Sequence, residues 1–106
     1  MPVLLCSLRG TLCLYQGEEL GLEEAELEYE QIRDPYGLAF WPSFKGRDGC
    51  RTPLPWAKSA PEAGFTTGRP WLPLTDPAAT NVADQEGDRG SLLWLYRDLL
   101  ALRREL

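Results

Sequence analysis

The run GTLCLYQG, residues 10–17, is nearly all apolar and lies between two glycines. A short continuous apolar run of this kind is typical of a β-strand that is buried on both faces, as in a parallel sheet. Such a strand needs a neighbour on each edge and a further layer on each face. No other stretch of the 106 residues has the pattern of a partner strand of similar quality. The run therefore predicts that the chain is a piece of a larger α/β protein.

The C-terminal residues have the clearest helical pattern. Ser91 is a favourable N-cap residue, and the late pair Arg103 and Arg104 suits the negative end of a helix dipole. Apolar side chains recur on one stripe at helical spacing, at Leu92, Leu95, Tyr96, Leu99, Leu102 and Leu106. The pattern predicts one amphipathic helix that packs on an apolar surface.

Residues 33–90 show no convincing helical or strand period. They hold eight of the nine prolines and three of the four tryptophans. Structureless connections longer than about 15 residues are rare inside compact domains, and those that occur are usually functional loops on a scaffold. The acidic stretch before them, residues 18–31, fits a solvated face or local helix. The order strand, long loop, helix is what one βα unit of a parallel (β/α) barrel supplies.

Composition excludes several classes of function. The chain carries 16 acidic and 11 basic side chains, a net charge of −5, which argues against nucleic-acid and anionic-membrane partners. It contains no histidine, so Ser-His-Asp and Cys-His nucleophile systems and histidine-ligated metals are excluded. We expect neither a metal nor a cofactor. No apolar run approaches the roughly 18 residues of a membrane span.

The cysteines indicate the compartment. Cys6, Cys13 and Cys50 are odd in number and form no Cys-x-x-Cys pair. We expect them to be buried free thiols in a reducing compartment. The first residues also lack the pattern of a secretory signal, so we expect a cytoplasmic protein.

The long loop mixes aromatic rings with arginine and aspartate side chains. The aromatic side chains are Tyr36, Phe40, Trp41, Phe44, Trp56, Phe65 and Trp71, and the charged ones are Arg33, Asp34, Arg47, Asp48 and Arg51. Flat rings beside planar guanidinium and carboxylate groups suit a sugar, which has an apolar C–H face and a rim of hydroxyls. The same aromatics could instead anchor the loop by burial.

Several ordered blocks resemble the α-glucosidase and oligo-1,6-glucosidase branch of the α-amylase superfamily, glycoside hydrolase family 13. RGTLCLYQGEELG (residues 9–21) is similar to its GTPxxYQGEE(L/I)G signature, and GRDGCRTPLPW (46–56) is similar to GRDxxRTPMxW. AGFTTG (63–68), PWL (70–72) and the terminal LxxLRR helix follow at the family's spacing. RDPYGLAFWP (33–42) resembles bacterial α-glucosidases. Leu12 and Leu54 depart from the family's proline and methionine, apolar for apolar.

The resemblance implies a place for each segment in a (β/α)8 TIM barrel. Residues 1–9 would end the preceding helix, and 11–16 would be the eighth strand. Residues 17–90 would be the β8–α8 loop on the active face, and 91–105 the eighth helix. The chain would therefore be the last βα unit of the barrel, and in isolation mostly loop plus helix.

The resemblance also implies a function and site residues. The parent enzyme would be a retaining α-glucosidase that releases terminal α-linked glucose from short oligosaccharides. Arg51 would pair with an aspartate from the start of the barrel and recognise the non-reducing glucose; its planar fork suits two acceptors at fixed angles. Arg47 would either contact a sugar or organise the loop, and Asp48 would organise it.

The catalytic residues are expected elsewhere. Glu18 and Glu19 are adjacent and would point apart on leaving a strand, whereas retaining glycosidases need carboxyls that face each other about 5 Å apart. We therefore give them a loop-organising role. The family's Asn-His-Asp element cannot exist in a chain without histidine, so we predict that the fragment alone is inactive. The alternative is a non-catalytic product: a truncated reading frame, or a fragment that binds a sugar or a protein partner.

Overall fold

Four α-helices and a long irregular connection make up the structure. The computed structural model describes all residues, 1–106. The helices are α1 (Pro2–Ser7), α2 (Pro35–Phe40), α3 (Val82–Gly87) and α4 (Leu92–Glu105). Single 3₁₀ turns lie at Glu18–Leu20, Tyr29–Gln31, Asp48–Cys50 and Pro61–Gly64. None of the helices combines the length and the apolar character that crossing a bilayer requires.

The predicted strand over residues 11–16 is not formed, and the chain contains no β-strand. Residues 11–15 have no regular secondary structure because no second strand is present to pair with them. Leu12 and Leu14 are half-buried, whereas Thr11, Cys13 and Tyr15 are exposed. The expectation of burial on both faces is therefore wrong for this chain, in which only one side of the run is covered.

The cysteine expectation also needs correction. All three cysteines are free thiols, but only Cys6 is buried, while Cys13 and Cys50 are exposed. Cys13 lies in the run that has no partner strand, and Cys50 lies at the end of a 3₁₀ turn on the loop surface. Their exposure follows from these positions.

The predicted C-terminal helix is present as α4, with Ser91 at its N-cap. Ser91 does not cap it through its side chain, and its hydroxyl donates to the Gln85 carbonyl of α3 at 2.7 Å. The Gln85 side chain takes over this role. Its Oε1 accepts the free Leu93 N–H at 3.1 Å, and its Nε2 donates to the Leu20 carbonyl at 2.8 Å. Gln85 therefore connects the start of α4 to the first 3₁₀ turn.

The predicted apolar stripe of α4 is partly wrong. The buried side chains are Leu93 and Tyr96, whereas Leu95, Leu102 and Leu106 are exposed. Leu93 packs with Leu20 and Leu54 in one small core. The covered face is thus rotated relative to the stripe, because α4 packs mainly on α1, α3 and the first 3₁₀ turn.

A second small core lies in the loop, where Leu27, Ile32 and Leu72 are buried against Trp41. At the far end of α4, the Arg103 guanidinium donates to the carbonyls of Cys6, Leu8 and Gly10. These bonds attach the end of α1 to α4. The fold therefore consists of local clusters joined by hydrogen bonds rather than one continuous core.

The exposed surface is large for the size of the chain. It amounts to 7653 Å², whereas a folded monomer of this mass exposes about 5,900 Å². The radius of gyration is 16.1 Å, against about 13 Å for a compact domain of this length. Roughly 1,700 Å² is exposed beyond the usual amount, in agreement with the prediction of a chain that is mostly loop plus helix.

Candidate functional site

Two buried aspartates organise the loop. The Asp48 side chain, at the start of its 3₁₀ turn, accepts the backbone N–H groups of Arg33 at 2.5 Å and Asp34 at 2.7 Å through Oδ2. Asp34 is the N-cap of α2 and accepts the Tyr36 N–H at 3.0 Å. Its other oxygen accepts the Arg47 N–H at 2.9 Å. Each aspartate therefore binds the backbone beside the other, which fixes residues 33–36 against 47–48.

Arg51 lies over this pair of carboxylates. Its Nη1 is 3.7 Å from Asp34 Oδ2 and 3.9 Å from Asp48 Oδ1, and half of its side chain is exposed. These separations are longer than hydrogen bonds, so the contacts are ionic and the guanidinium keeps its donors available. A guanidinium has five N–H donors in a fixed plane. Arg51 is thus oriented by charge while its donors remain free for a ligand.

The charge state of Asp34 reflects these contacts. The hydrogen bond from the Arg47 N–H is the main cause that holds the pKa of Asp34 below its usual value of 3.8. Burial opposes this shift, while the Tyr36 N–H and the positive charge of Arg51 add to it. Asp34 is therefore a carboxylate at neutral pH and presents a negative charge to Arg51.

We expect this pKa to control the acid stability of the loop. A carboxyl group whose folded pKa is depressed stabilises the fold above its unfolded pKa, and this contribution is lost as the pH falls through the folded value. An NMR titration should therefore place the Asp34 midpoint below 3.8. Arg51→Gln should raise the midpoint but leave it below the usual value, because the backbone donors remain. Arg104→Gln, on the exposed end of α4, should leave it unchanged. A wild-type midpoint at or above 3.8 would contradict this assignment.

Arg51, Asp34 and Asp48 line a cleft of about 400 Å³, which we call the Arg51 cleft. Phe65 and Trp71 contribute aromatic faces to it. The remaining lining residues are Gln16, Arg33, Pro35, Thr52, Pro53 and Leu72. The cleft combines fixed charges, free donors and flat rings, the features that a sugar requires.

Arg47 takes part in the loop through its backbone. Its N–H donates to Asp34, and its carbonyl accepts the Cys50 N–H at 3.2 Å and the Cys50 thiol at 3.0 Å. The Arg47 side chain is exposed and does not line the Arg51 cleft. The Arg47 backbone is therefore hydrogen-bonded within the loop, while its guanidinium is exposed to solvent.

Glu18 and Glu19 bind backbone and helix rather than the cleft. Glu18 accepts the Tyr15 N–H at 2.6 Å and the Tyr96 hydroxyl of α4 at 2.9 Å, and Glu19 accepts the Gly17 N–H at 2.8 Å. Burial, and then the nearby Glu18 carboxylate, raises the pKa of Tyr96 to about 12. The hydroxyl therefore remains protonated as a donor at neutral pH.

Sequence reasoning named Asp34 among the charged residues of the loop but gave it no role at the site. An aspartate immediately before a proline is a common helix start, with the aspartate as N-cap and the proline at the first helical position. That signal, Asp34-Pro35, was available in the sequence. The bond between its side chain and the Arg47 backbone, thirteen residues away, has no local signal.

The chain is similar to known proteins along its whole length. Residues 1–106 match the family described as alpha amylase, catalytic domain. The chain is 60% identical over 104 residues to a probable α-glucosidase of Rhizobium meliloti (strain 1021), covering 95% of this chain and 18% of that protein. It is 36% identical over 119 residues to an oligo-1,6-glucosidase of Heyndrickxia coagulans, covering 94% and 21%.

Solved structures also match nearly the whole chain. An α-glucosyl transfer enzyme superposes with a TM-score of 0.89 and 60% identity, covering 98% of this chain and 19% of that one. A trehalose-6-phosphate hydrolase of Bacillus licheniformis superposes with a TM-score of 0.86 and 32% identity, covering 99% and 22%. The chain thus spans about a fifth of the length of the relatives it matches.

Proposed function

Because the chain belongs to the α-amylase catalytic-domain family, we propose that it supplies part of the substrate pocket of a retaining α-glucosidase. The whole enzyme would release terminal α-linked glucose from short oligosaccharides through a covalent glucosyl-enzyme intermediate. The names of the relatives, α-glucosidase and oligo-1,6-glucosidase, support this substrate class.

The geometry of Arg51 is the observation that carries the proposal. Two buried carboxylates orient its guanidinium, which stays half exposed at a cleft that also presents Phe65 and Trp71. A planar cation with free donors can hold two sugar oxygens at fixed angles. The aromatic faces suit the apolar C–H side of the same ring. Arg51 would therefore hold the terminal glucose.

The catalytic carboxylates would come from parts of the barrel other than these 106 residues. Asp34 and Asp48 already accept two backbone N–H bonds each, so neither is free to act as nucleophile or proton donor. Glu18 and Glu19 are likewise engaged by backbone and Tyr96, and neither lines the Arg51 cleft. We assign these four carboxylates to organising the loop.

The position in the barrel is also proposed. Residues 11–16 would become the eighth strand once neighbouring strands are present, with 17–90 as the active-face loop and 91–105 as the eighth helix. The apolar run without a partner strand and the roughly 1,700 Å² of additional exposed surface support this placement. The three free thiols support a reducing compartment such as the cytoplasm.

A chimera tests the proposal. Residues 1–106 would replace the corresponding segment of the Rhizobium meliloti relative, and the chimera and the chain alone would be assayed on a chromogenic α-glucoside. We expect turnover by the chimera and none by the chain, because only the chimera joins the Arg51 cleft to catalytic carboxylates. Turnover by the chain alone, or a well-folded chimera without activity, would contradict the proposal.

A further inference from the structure

The backbone of the apolar run at residues 11–15 is extended and largely unpaired. Exposure alternates along the run, since the odd-numbered residues are exposed and the even-numbered ones are half-buried. An alternation of this kind is the two-residue period of an extended chain. The N–H and C=O groups of residues 11–14 make no backbone–backbone hydrogen bond within the chain. A row of unpaired groups like this one is a template on which a strand of another chain can add.

The two edges of the run differ in accessibility. In an extended chain, the N–H and C=O groups of one residue point to one edge, and those of the next residue point to the other. Tyr15 belongs to the odd-numbered edge. Its N–H donates to Glu18 Oε1 at 2.6 Å, and its C=O accepts the Glu18 N–H at 3.1 Å. The 3₁₀ turn that begins at Glu18 therefore occupies one end of that edge, whereas the edge of Leu12 and Leu14 is open.

A second copy of the same run matches this open edge by symmetry. Two identical strands related by a two-fold axis pair antiparallel, and residues 11–15 then overlap completely when the axis passes at Cys13. Leu12 lies opposite Leu14 of the second copy, and the two residues exchange both N–H···O=C bonds. The Cys13 residues of the two copies lie opposite each other at a non-hydrogen-bonded position, where the Cα atoms are about 4.5 Å apart.

Charge and surface area also favour a contact between copies. Residues 1–17 contain a single charged side chain, Arg9, although the chain has a net charge of −5, so like charges do not meet along the edge. Directly before the run, α1 exposes Val3, Leu4 and Leu8. The roughly 1,700 Å² of additional exposed surface is about twice the 800 Å² that each partner contributes to a standard stable interface.

We propose that two copies of this chain dimerise through an antiparallel two-stranded ribbon formed by residues 11–15 of each copy. The open edge of Leu12 and Leu14 is the edge that pairs. The edge occupied by the Glu18 turn stays on the outside, so the assembly ends at two copies. The second copy supplies the partner without which the run forms no strand in the single chain. Arg51 and its two aspartates lie outside the ribbon, so the dimer does not depend on the proposed sugar site.

Proline substitutions on the two edges test the dimer by sedimentation velocity, with the 106-residue chain fused to a monomeric carrier. Wild type should have the mass of two fusion chains. Leu12→Pro and Leu14→Pro each remove an N–H from the paired edge and should raise the dissociation constant about ten- to hundredfold, the worth of one hydrogen bond lost from each copy. Cys13→Pro is the matched control, because it removes an N–H from the outer edge, where proline is tolerated. It should leave the mass of a dimer.

The register is tested by cross-linking of thiols. A Cα separation of about 4.5 Å lies within the range that a disulfide spans, so a mild oxidant such as diamide should join two chains through Cys13. Cys50 is also an exposed free thiol and serves as the control. Cys50→Ser should still form the cross-linked dimer, whereas Cys13→Ser should not. Far-UV circular dichroism should show the same helix content in every variant, since the altered N–H groups are unpaired in the single chain.

Three results would overturn the inference. Wild type with the mass of one chain, which associates only when the other four-fifths of a relative is added, would show that the edge accepts barrel strands alone. Particles larger than two copies would show that both edges pair. A dimer that persists in both Leu12→Pro and Leu14→Pro, or that cross-links through Cys50, would place the contact elsewhere. None of these results bears on the chimera assay, which tests the sugar site separately.

Discussion

Asp48→Ala should lower the free energy of unfolding of the loop over residues 33–51 by about 2–4 kcal/mol. The Asp48 side chain is 5% exposed and accepts two backbone N–H groups, those of Arg33 and Asp34. Alanine leaves the buried Asp34 N–H without an acceptor, and an unsatisfied buried donor costs about 1–3 kcal/mol in addition to the lost bond. The loss is large beside a total stability of about 5–15 kcal/mol for a typical domain.

Amide hydrogen exchange measures this loss of stability at the residues that bind Asp48. The amides of Arg33 and Asp34 should exchange faster in Asp48→Ala, and trypsin should cleave sooner after Arg33, Arg47 and Arg51 as the loop opens. Asp98→Ala is the control, because its exposed ion pair with Arg89 is worth no more than about 1 kcal/mol. Unchanged exchange at Arg33 and Asp34 would show that Asp48 does not organise the loop.

Arg51→Ala should lower kcat/KM of the chimera about ten- to hundredfold, since a hydrogen bond to a charged group contributes about 1.5–3 kcal/mol. Arg51→Lys should recover only part of this loss, because an ammonium cannot hold two acceptors in one plane. The variant should remain folded. Asp34 and Asp48 keep their backbone N–H donors when the guanidinium is removed.

Steady-state kinetics on the chromogenic α-glucoside measure this prediction, with the melting temperature as the test of folding. Arg47→Ala in parallel decides between the two roles left open for that residue. A loss of activity comparable to that of Arg51→Ala would show a sugar contact, whereas unchanged kinetics would leave Arg47 its backbone role alone. Full activity of Arg51→Ala at an unchanged melting temperature would remove Arg51 from the substrate pocket.

The sequence predicted the C-terminal helix well because α4 is set by local signals. Its apolar spacing and Ser91 fix the residues 92–105 as helical, but not which face is covered. The buried face depends on α1, at the other end of the chain, and on α3 and Gln85, which lie a few residues before α4 and outside its own periodic pattern. The helix periodicity does not predict the cap either, because the free N–H of Leu93 is bound by Gln85 and not by Ser91.

For the apolar run and for the candidate site as well, local sequence indicates only part of the structure, and the rest depends on contacts with distant segments. The composition of residues 11–16 indicates a strand, but a strand forms only with a partner, and none lies in this chain. At the site, Arg51 and Asp48 stand in a recognisable motif. The contribution of Asp34 arises because the loop folds back by thirteen residues onto Arg47, a contact that no period or propensity encodes.

The uncovered surface bears on how such a segment can be handled in the laboratory. If the additional exposed surface of roughly 1,700 Å² were buried against a partner, the contact would exceed about 3,000 Å² when both sides are counted, well above the range of transient complexes. Produced on its own, the polypeptide should need a chaperone or a solubilising fusion. Co-expressed with the other four-fifths of a relative, it should assemble as the smaller part of a split enzyme, and activity should return without a peptide bond between the two parts.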